Sequence, residues 1–316
     1  MRGKWLIWIL VVGQIQTALS QTAANLPAIQ CGHINRAAWF ESKYVDARHV
    51  DLWLPEGYDA GKRYPVLYMH DGQMLFDSSK TWNKQAWDVD DVLCALNKTH
   101  AIRECIVVAV WNNGEKRPSE YLPQKALEAA GEDVKKAANE RTKGVYLADN
   151  YLKFLVLELK PEIDKVLPTL PDPANTFIAG SSMGGLISLY AICEYPDIFG
   201  GAACLSTHWT GIFTNENNPI PQAIMRYLEQ KLPDPKNHKI YFDHGTTTLD
   251  SLYGPWQVMA DQIMQNKGYS ATQWTTRVFE GAPHTEKAWK SRLDIPLKFL
   301  LSPTINDHKA PQKGHK

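Results

Sequence analysis

The sequence predicts an α/β fold, in which a mostly parallel central sheet carries helices on both faces. Short, continuous apolar runs recur along the chain, as expected of strands that are buried on both faces of a parallel sheet. Segments with apolar residues at helical spacing lie between these runs. Strands that alternate with helices in this way are typical of a sheet covered on both sides.

The predicted strands differ in their patterns. The first alternates apolar and polar residues through Val50, Leu52 and Leu54 and stops at Pro55-Glu56-Gly57. The continuous runs follow at residues 65–69, 106–110, 176–179, 201–205 and 240–242, and a last strand is predicted at 274–279.

Helical spacing identifies the connecting segments. Apolar residues recur at this spacing from Leu152 to Ile163 and from Leu186 to Cys193. Two further helices are predicted over residues 249–268 and 285–301, and Pro296 is expected to break or kink the second of them.

We expect one domain over residues 27–302, because a chain of 316 residues can bury a sizeable core. The segment 115–147 differs from its surroundings, since from Glu115 to Thr142 it is charged, rich in alanine and poor in large apolar residues. It is interpreted either as a lid-like excursion or as a plain solvated surface segment. The sequence leaves both interpretations open.

The N-terminus has the pattern of an export signal. Arg2 and Lys4 precede an apolar run over residues 5–12, and small residues from Thr17 to Ser20 suit a signal peptidase. We therefore predict a signal peptide over residues 1–20 and a secreted or periplasmic protein, with a buried N-terminal helix as the alternative. The run is too short to cross about 30 Å of hydrocarbon, so stable membrane insertion is not expected. Residues 303–316 are predicted to form a flexible tail.

The charge and the cysteine content restrict the partners, disulfides and metal sites to be expected. The formal net charge is +0, which argues against nucleic acid as a partner, because phosphate binding needs a clustered basic surface. Of the five cysteines, Cys94 and Cys105 are the one pair considered for a disulfide. No cysteine or histidine spacing resembles a zinc site, so no metal or other cofactor is expected.

A serine motif follows the predicted strand at 176–179. Gly180-Ser181-Ser182-Met183-Gly184 has the form G-x-S-x-G and leads into an apolar helix. At a strand-to-helix junction this motif is the nucleophile elbow of the α/β-hydrolase fold, with Ser182 projecting above the sheet. The helix N-terminus, with the N–H of Met183, would face a developing oxyanion. The alternative is a glycine-rich turn that serves packing alone.

A serine nucleophile needs a base, which in this fold follows it in the sequence. His284 lies directly after the last predicted strand, in the loop that enters the final helix. Loops at the carboxyl edge of an open α/β sheet are where functional side chains gather. His284 is therefore the predicted base, against the alternative of a surface histidine at a helix start.

The acid that orients this histidine should follow the preceding strand. Asp243 is attached to the end of the strand at 240–242, whereas Asp250 lies beyond a loop at the start of the next helix. We favour Asp250 because from there a carboxylate can reach over the sheet edge, although an aspartate at this place also suits a helix N-cap. Asp243 and, less so, Asp261 are the alternatives.

The second half of an oxyanion hole should come from the loop after the strand at 65–69. That loop reads His70-Asp71-Gly72-Gln73, with a glycine where the backbone must approach a substrate. The backbone N–H of Gln73 is predicted to act together with that of Met183. A simple turn is the alternative, because Asp-Gly is a common turn signal.

Several further segments complete a family pattern. They are Val66 to Asp77, Trp87-Asp88, Asn112-Asn113-Gly114 with Arg117, Glu120-Tyr121 with Pro123, Tyr195-Pro196-Asp197 with Phe199, and Gly281 to Trp289. Together with the elbow they resemble the esterase family that includes esterase D, enterochelin esterases, feruloyl and acetyl-xylan esterases and the mycolyltransferases of antigen 85. The resemblance extends over residues 45–301.

This resemblance implies a Ser-Asp-His triad of Ser182, Asp250 and His284, with the backbone of Gln73 and Met183 as the oxyanion hole. The sequence departs from the family in one respect. The spacing from Gly245 to Asp250 is longer than the Gly-x-x-Asp of feruloyl esterases.

Aromatic residues are expected to line the pocket for the acyl group or the sugar. Trp87, Trp111 and Trp209 each follow a predicted strand end and are the candidates. Packing in the core is the alternative for each, because aromatic side chains favour cores as well as pockets. His208, beside Trp209, is a further pocket candidate, with a satisfied structural histidine as its alternative.

These features predict a serine esterase that hydrolyses a carboxylic ester through an acyl-enzyme. The export signal and the family resemblance favour an acylated carbohydrate or a similar small-molecule or oligosaccharide ester as the substrate. An acyltransferase with the same triad is the first alternative, and a non-catalytic binding module is the second. The sequence gives no indication of oligomeric state.

Overall fold

The computed structural model describes residues 26–303. Its eight strands form one sheet in the spatial order β1-β2-β4-β3-β5-β6-β7-β8. The strands are β1 (His33–Phe40), β2 (Arg48–Leu54), β3 (Val66–His70), β4 (Ile106–Val110), β5 (Thr176–Ser181), β6 (Gly201–Leu205), β7 (Lys239–Gly245) and β8 (Trp274–Phe279). Strands β3 to β8 pair in parallel, whereas β1 and β2 form an antiparallel edge. The predicted mostly parallel α/β fold is confirmed.

Helices fill the connections between the strands. They are α1 (Val89–Lys98), α2 (Arg117–Tyr121), α3 (Gln124–Glu128), α4 (Glu132–Thr142), α5 (Ala148–Lys153), α6 (Lys160–Val166), α7 (Met183–Glu194), α8 (Ile220–Lys231), α9 (Gly254–Asn266), α10 (Glu286–Lys290) and α11 (Asp294–Leu300). A π-helical segment, Phe154–Leu159, joins α5 to α6. Short 3₁₀ turns occur at Gly72–Met74, Gly114–Lys116, Pro173–Asn175, Pro235–Asn237 and Thr248–Leu252.

The last predicted helix is divided, but not at the proline. The interruption falls between α10 and α11, and Pro296 lies in the first turn of α11. A proline is tolerated there because the first N–H groups of a helix have no partner within that helix.

Two apolar layers lie on opposite faces of the sheet. Alternate residues of each central strand enter different layers, as in β4, where Val108 joins one layer and Val107 the other. Helices α2 to α9 supply the first layer, and α1, α10 and α11 supply the second. This double coverage explains why the central strands are continuous apolar runs in the sequence.

The segment 115–147 folds as helices α2, α3 and α4, which pack on the domain. Its apolar residues Leu122, Leu127 and Val134 are buried in the first layer. Glu120 accepts two hydrogen bonds from Arg48 on β2, at 2.7 and 2.8 Å, and both side chains are buried. The segment is therefore anchored to the sheet through its first helix.

The structure contains a disulfide between Cys31 and Cys94, whose Cα atoms are 6.4 Å apart. The pairing of Cys94 with Cys105 is therefore wrong. Cys105 is fully buried beside β4 within the second apolar layer and remains a thiol. The bond instead ties the segment before β1 to helix α1.

Two predictions lie outside the described residues, namely the signal peptide over residues 1–20 and almost all of the tail over residues 303–316. Within residues 26–303, no helix is long and apolar enough to cross a membrane.

We expect the Cys31→Ser/Cys94→Ser double variant to lose about 2–4 kcal/mol of unfolding free energy, because the crosslink restricts the unfolded chain. Urea denaturation of the wild-type and double-variant proteins would measure the difference. A reductant should lower the stability of the wild-type protein alone. Equal stability of the two proteins under oxidising conditions would contradict a stabilising disulfide.

Candidate active site

Ser182 occupies a strained turn between β5 and α7. Its backbone has φ 58° and ψ −124°, a conformation that is costly for a residue with a side chain. The turn is this tight because Gly180 lies against Gly184, where a Cβ on Gly180 would come within 2.7 Å of the backbone. The N–H of Ser182 donates to the carbonyl of Leu205 at 2.9 Å, which fixes the turn to the neighbouring strand.

The structure brings His284 and Asp250 together. The Nδ1 atom of His284 lies 2.5 Å from Oδ1 of Asp250, whose side chain is completely buried, whereas the His284 side chain is 14% exposed. Asp243 is engaged elsewhere, with Arg292 at 2.9 Å and the Tyr241 hydroxyl at 3.0 Å. Asp261 accepts hydrogen bonds from Gln257 at 2.8 Å and Thr276 at 2.6 Å. Of the three candidate acids, Asp250 is therefore the one that contacts the histidine.

The Asp250 carboxyl is held in its charged form. Burial acts to raise its pKa, but the hydrogen bond and charge of His284, with hydrogen bonds from Ser206 and Gly245, lower the pKa below its ordinary value. An ionised carboxylate accepts a hydrogen bond, so the ring carries its proton on Nδ1. The Nε2 atom of His284 is then the unprotonated nitrogen that can accept a proton.

The loops that carry the acid and the histidine are bound to each other. The N–H groups of Thr246 and Thr247 donate to the carbonyl of Ala282 at 3.1 and 3.3 Å. The N–H of His284 donates to the hydroxyl of Thr248 at 2.8 Å. The long spacing from Gly245 to Asp250 thus contains three threonines that bind the histidine loop.

Ser206, which was not predicted, supports the acid. It directly follows β6, and its hydroxyl donates to Oδ2 of Asp250 at 2.6 Å. The Oγ atom of Ser206 in turn accepts hydrogen bonds from Trp289 Nε1 and Arg292 Nη2, both at 2.9 Å. Its position after a predicted strand, at the edge where functional side chains gather, is the signal that could have identified it.

The loop after β3 lies beside the start of α7. Asp71 has a left-handed backbone with φ 57°, and its carboxylate receives two hydrogen bonds from Arg117 at 2.6 and 2.7 Å. A Cβ on Gly184 would lie 3.1 Å from Oδ2 of Asp71, so the two segments are in close contact. Gln73 accepts a hydrogen bond from the N–H of Asn112 at 3.2 Å. The predicted oxyanion residues Gln73 and Met183 thus belong to neighbouring segments.

The three tryptophans differ in their accessibility. Trp209 is fully buried and donates to Gln257 at 3.1 Å, and Trp87 is buried against Trp289 with ring centroids 5.5 Å apart. Both are buried in the core, which is the alternative that the sequence analysis gave for each of them. Trp111 is partly exposed, and its Nε1 donates to Asp51 at 2.9 Å.

Tyr253 is a second residue that the sequence did not indicate. Its hydroxyl lies 2.7 Å from Nδ1 of His208, and both side chains are buried. Burial, followed by the charge of Asp250, raises the pKa of Tyr253, and a hydrogen bond with the Ser182 side chain opposes that rise. Tyr253 therefore binds His208, a buried histidine whose backbone N–H donates to the carbonyl of Ser182 at 3.1 Å.

Across residues 26–303, no group of three or more His, Cys, Asp or Glu side chains could hold a metal ion. The acid, base and serine all follow parallel strands at the carboxyl edge of the sheet. A serine, an imidazole and a buried carboxylate in this arrangement can carry out nucleophilic acyl transfer.

A family model described as Putative esterase matches residues 43–300. The uncharacterized protein YbbA of Bacillus subtilis (strain 168) is 26% identical over 262 residues, which cover 80% of this chain and 92% of that protein. An endo-1,4-beta-xylanase/feruloyl esterase of Xylanibacter ruminicola is 28% identical over 214 residues, which cover 66% of this chain but 26% of that protein.

Among solved structures, a CE1 ferulic acid esterase from Anaeromyces mucronatus is similar in fold. The TM-score is 0.61 at 19% sequence identity, and the match covers 90% of this chain and 94% of the other.

We expect Ser206→Ala to lower kcat about tenfold with little change in KM, because Asp250 loses one of its hydrogen bonds. Steady-state kinetics on an aryl acetate would measure both constants. Ser119→Ala is a matched control, since Ser119 is also buried but its hydroxyl bonds to the carbonyl of Thr142 in another part of the fold. An unchanged kcat in Ser206→Ala would exclude a positioning role.

The stability of the fold should fall as the pH decreases below about 6.5, the ordinary pKa of histidine. Burial lowers the pKa of His208 to about 3 and that of His70 to about 3, so the folded protein keeps both neutral while the unfolded chain binds protons. Each of these two histidines should lower the free energy of unfolding by about 2 kcal/mol between pH 6.5 and pH 5.

Urea denaturation at the two pH values would test this pH dependence. His70→Gln removes one of the two titrating groups and should reduce the pH dependence by about 2 kcal/mol relative to the wild-type protein. The same dependence in both proteins would contradict a buried, neutral His70.

Proposed function

The chain belongs to the Putative esterase family, and we propose that it hydrolyses carboxylic esters through an acyl-enzyme on Ser182. The family establishes an ester hydrolase of the α/β fold. The hydrogen bond between His284 and the buried Asp250, 2.5 Å long, is the single observation that carries the proposed mechanism. It gives the histidine the tautomer that a serine nucleophile requires.

In the first half of the reaction, Nε2 of His284 takes the hydroxyl proton as Ser182 Oγ attacks the ester carbonyl. The carbonyl oxygen becomes an oxyanion, which the backbone N–H groups of Gln73 and Met183 stabilise. The tetrahedral intermediate collapses, the imidazolium protonates the leaving alcohol, and the acyl group remains on Ser182 as an ester.

In the second half, water replaces the alcohol. His284 removes one proton from the water as its oxygen attacks the acyl carbon. Collapse of the second tetrahedral intermediate breaks the bond to Ser182 Oγ, which recovers its proton from the imidazolium. Asp250 remains ionised throughout, as its lowered pKa supports.

An acylated carbohydrate or a similar extracellular ester is the proposed substrate class. The relatives named as feruloyl or ferulic acid esterases support this class. The Cys31–Cys94 disulfide supports an oxidising compartment, in agreement with the proposed export to the periplasm or the medium.

We expect Ser182→Ala to lose at least about 10³-fold in kcat on 4-nitrophenyl acetate while it keeps the wild-type fold. It should also lose labelling by a fluorophosphonate, which modifies Ser182 in the wild-type protein. Ser188→Ala is the matched control, because this serine is buried on α7 and its hydroxyl donates to the carbonyl of Gly184.

Activity near the wild-type level in Ser182→Ala, or label on another serine, would contradict the proposal.

A second experiment compares hydrolysis with acyl transfer in the wild-type protein. With a sugar alcohol present, the amount of free acid released should exceed the amount of acylated alcohol formed. The opposite ratio would indicate an acyltransferase.

A further inference from the structure

Arg141, in the last turn of α4, lies over an exposed aromatic ring. Its guanidinium carbon is 4.3 Å from the centroid of the Phe213 ring. Phe213 lies in the loop between β6 and α8, and its side chain is 65% exposed. A phenylalanine this accessible is unusual in a domain whose other aromatic rings are mostly buried, and it presents a flat apolar surface to solvent.

A series of ring contacts connects this pair to the proposed nucleophile and base. The Phe213 ring lies 5.8 Å from the ring of His208, and the Tyr253 ring lies 5.9 Å from that of His284. His208 and Tyr253 are joined by their 2.7 Å hydrogen bond. The N–H of His208 also donates to the carbonyl of Ser182 at 3.1 Å. Arg141 and Phe213 are therefore at the outer end of the active site.

Among the residues that the structure describes, no carboxylate forms an ion pair or hydrogen bond with the guanidinium of Arg141. Burial lowers the pKa of Arg141, and the charge of Arg117 acts in the same direction. Arg117 differs because Asp71 binds it through two hydrogen bonds.

A half-buried cation without an anion is costly, and a cation–π contact compensates for only part of that cost. A guanidinium is also well suited to bind a carboxylate through two parallel hydrogen bonds. Phe213 would pack against the apolar or aromatic part of the same ligand. The arrangement has the elements of a binding site for an anionic organic group.

We propose that Arg141 and Phe213 form a subsite for a carboxylate carried by the non-reacting part of the ester, so that the enzyme prefers anionic esters. This inference rests on the proposed function, because the subsite serves the reaction at Ser182. It specifies the charge of the substrate, which neither the fold nor the family determines. The segment 115–147 then has a defined role, since its helix α4 supplies the cation.

Two matched pairs of synthetic esters test the proposal on the purified protein. 4-Acetoxybenzoate and its methyl ester differ in a carboxylate on the leaving group. Mono-4-nitrophenyl glutarate and 4-nitrophenyl pentanoate differ in a carboxylate on the acyl group. For each ester, the kcat/KM of a variant is divided by that of the wild-type protein. The two esters of a pair differ in intrinsic reactivity, and this difference does not affect the ratio.

We expect Arg141→Gln to lower kcat/KM about tenfold to hundredfold for the anionic member of at least one pair, and to leave the neutral members unchanged. Arg141→Lys should restore part of the loss, because it keeps the charge without the planar fork. Lys143→Gln is the matched control, since it removes an exposed charge two residues away from Arg141. It should leave all four values unchanged.

The outcomes separate the two proposals. If the wild-type protein hydrolyses the neutral esters but Arg141→Gln changes neutral and anionic members equally or not at all, the anionic subsite is wrong and the esterase stands. If Ser182→Ala hydrolyses the esters as fast as the wild-type protein, the proposed function itself is wrong. Retained far-ultraviolet circular dichroism of Arg141→Gln would exclude misfolding as the cause of a loss.

Discussion

The geometry of the site depends on one buried carboxylate. Asp250 has no exposed side-chain surface, so its charge must be stabilised by hydrogen bonds instead of water. His284 binds one of its oxygens, while Ser206 and the N–H of Gly245 bind the other, at 2.6 and 2.5 Å. Because each donor comes from a different strand end, the carboxylate holds the ends of β6, β7 and β8 together.

The two aspartates at the end of this sheet have different physical roles. Asp243 forms a buried ion pair with Arg292, which places α11 and the preceding turn against β7. Burial raises the pKa of Asp243, and the charge of Arg292 opposes that rise. Asp250 binds a histidine that remains partly exposed. Asp243 therefore joins parts of the fold, whereas Asp250 both joins strand ends and binds a histidine that is partly exposed.

The sequence was most informative where local pattern decides structure. The parallel strands are buried on both faces and are therefore visible as continuous apolar runs, and the elbow at Ser182 depends on glycines within five consecutive residues. The candidate acid and base could be predicted as well, because chain order and strand ends restrict where they lie. The antiparallel strand β1 has no clear alternation and was not predicted.

Other features depend on contacts between distant segments, which no local pattern specifies. The hydroxyls of Ser206 and Tyr253 acquire their roles through partners that are 44 and 45 residues away, respectively. The Cys31–Cys94 bond joins segments separated by 63 residues. Trp209 could not be assigned to the core or to a pocket, because an indole ring suits both environments.

The threonines between Gly245 and Asp250 have a mechanical consequence. Since Thr246, Thr247 and Thr248 bind the backbone around Ala282 and His284, hydrogen bonds join the two loops at several points. A displacement of one loop would therefore carry the other with it. The contact between His284 and Asp250, and with it the histidine tautomer, would be kept even if the distance from the imidazole to Ser182 changed.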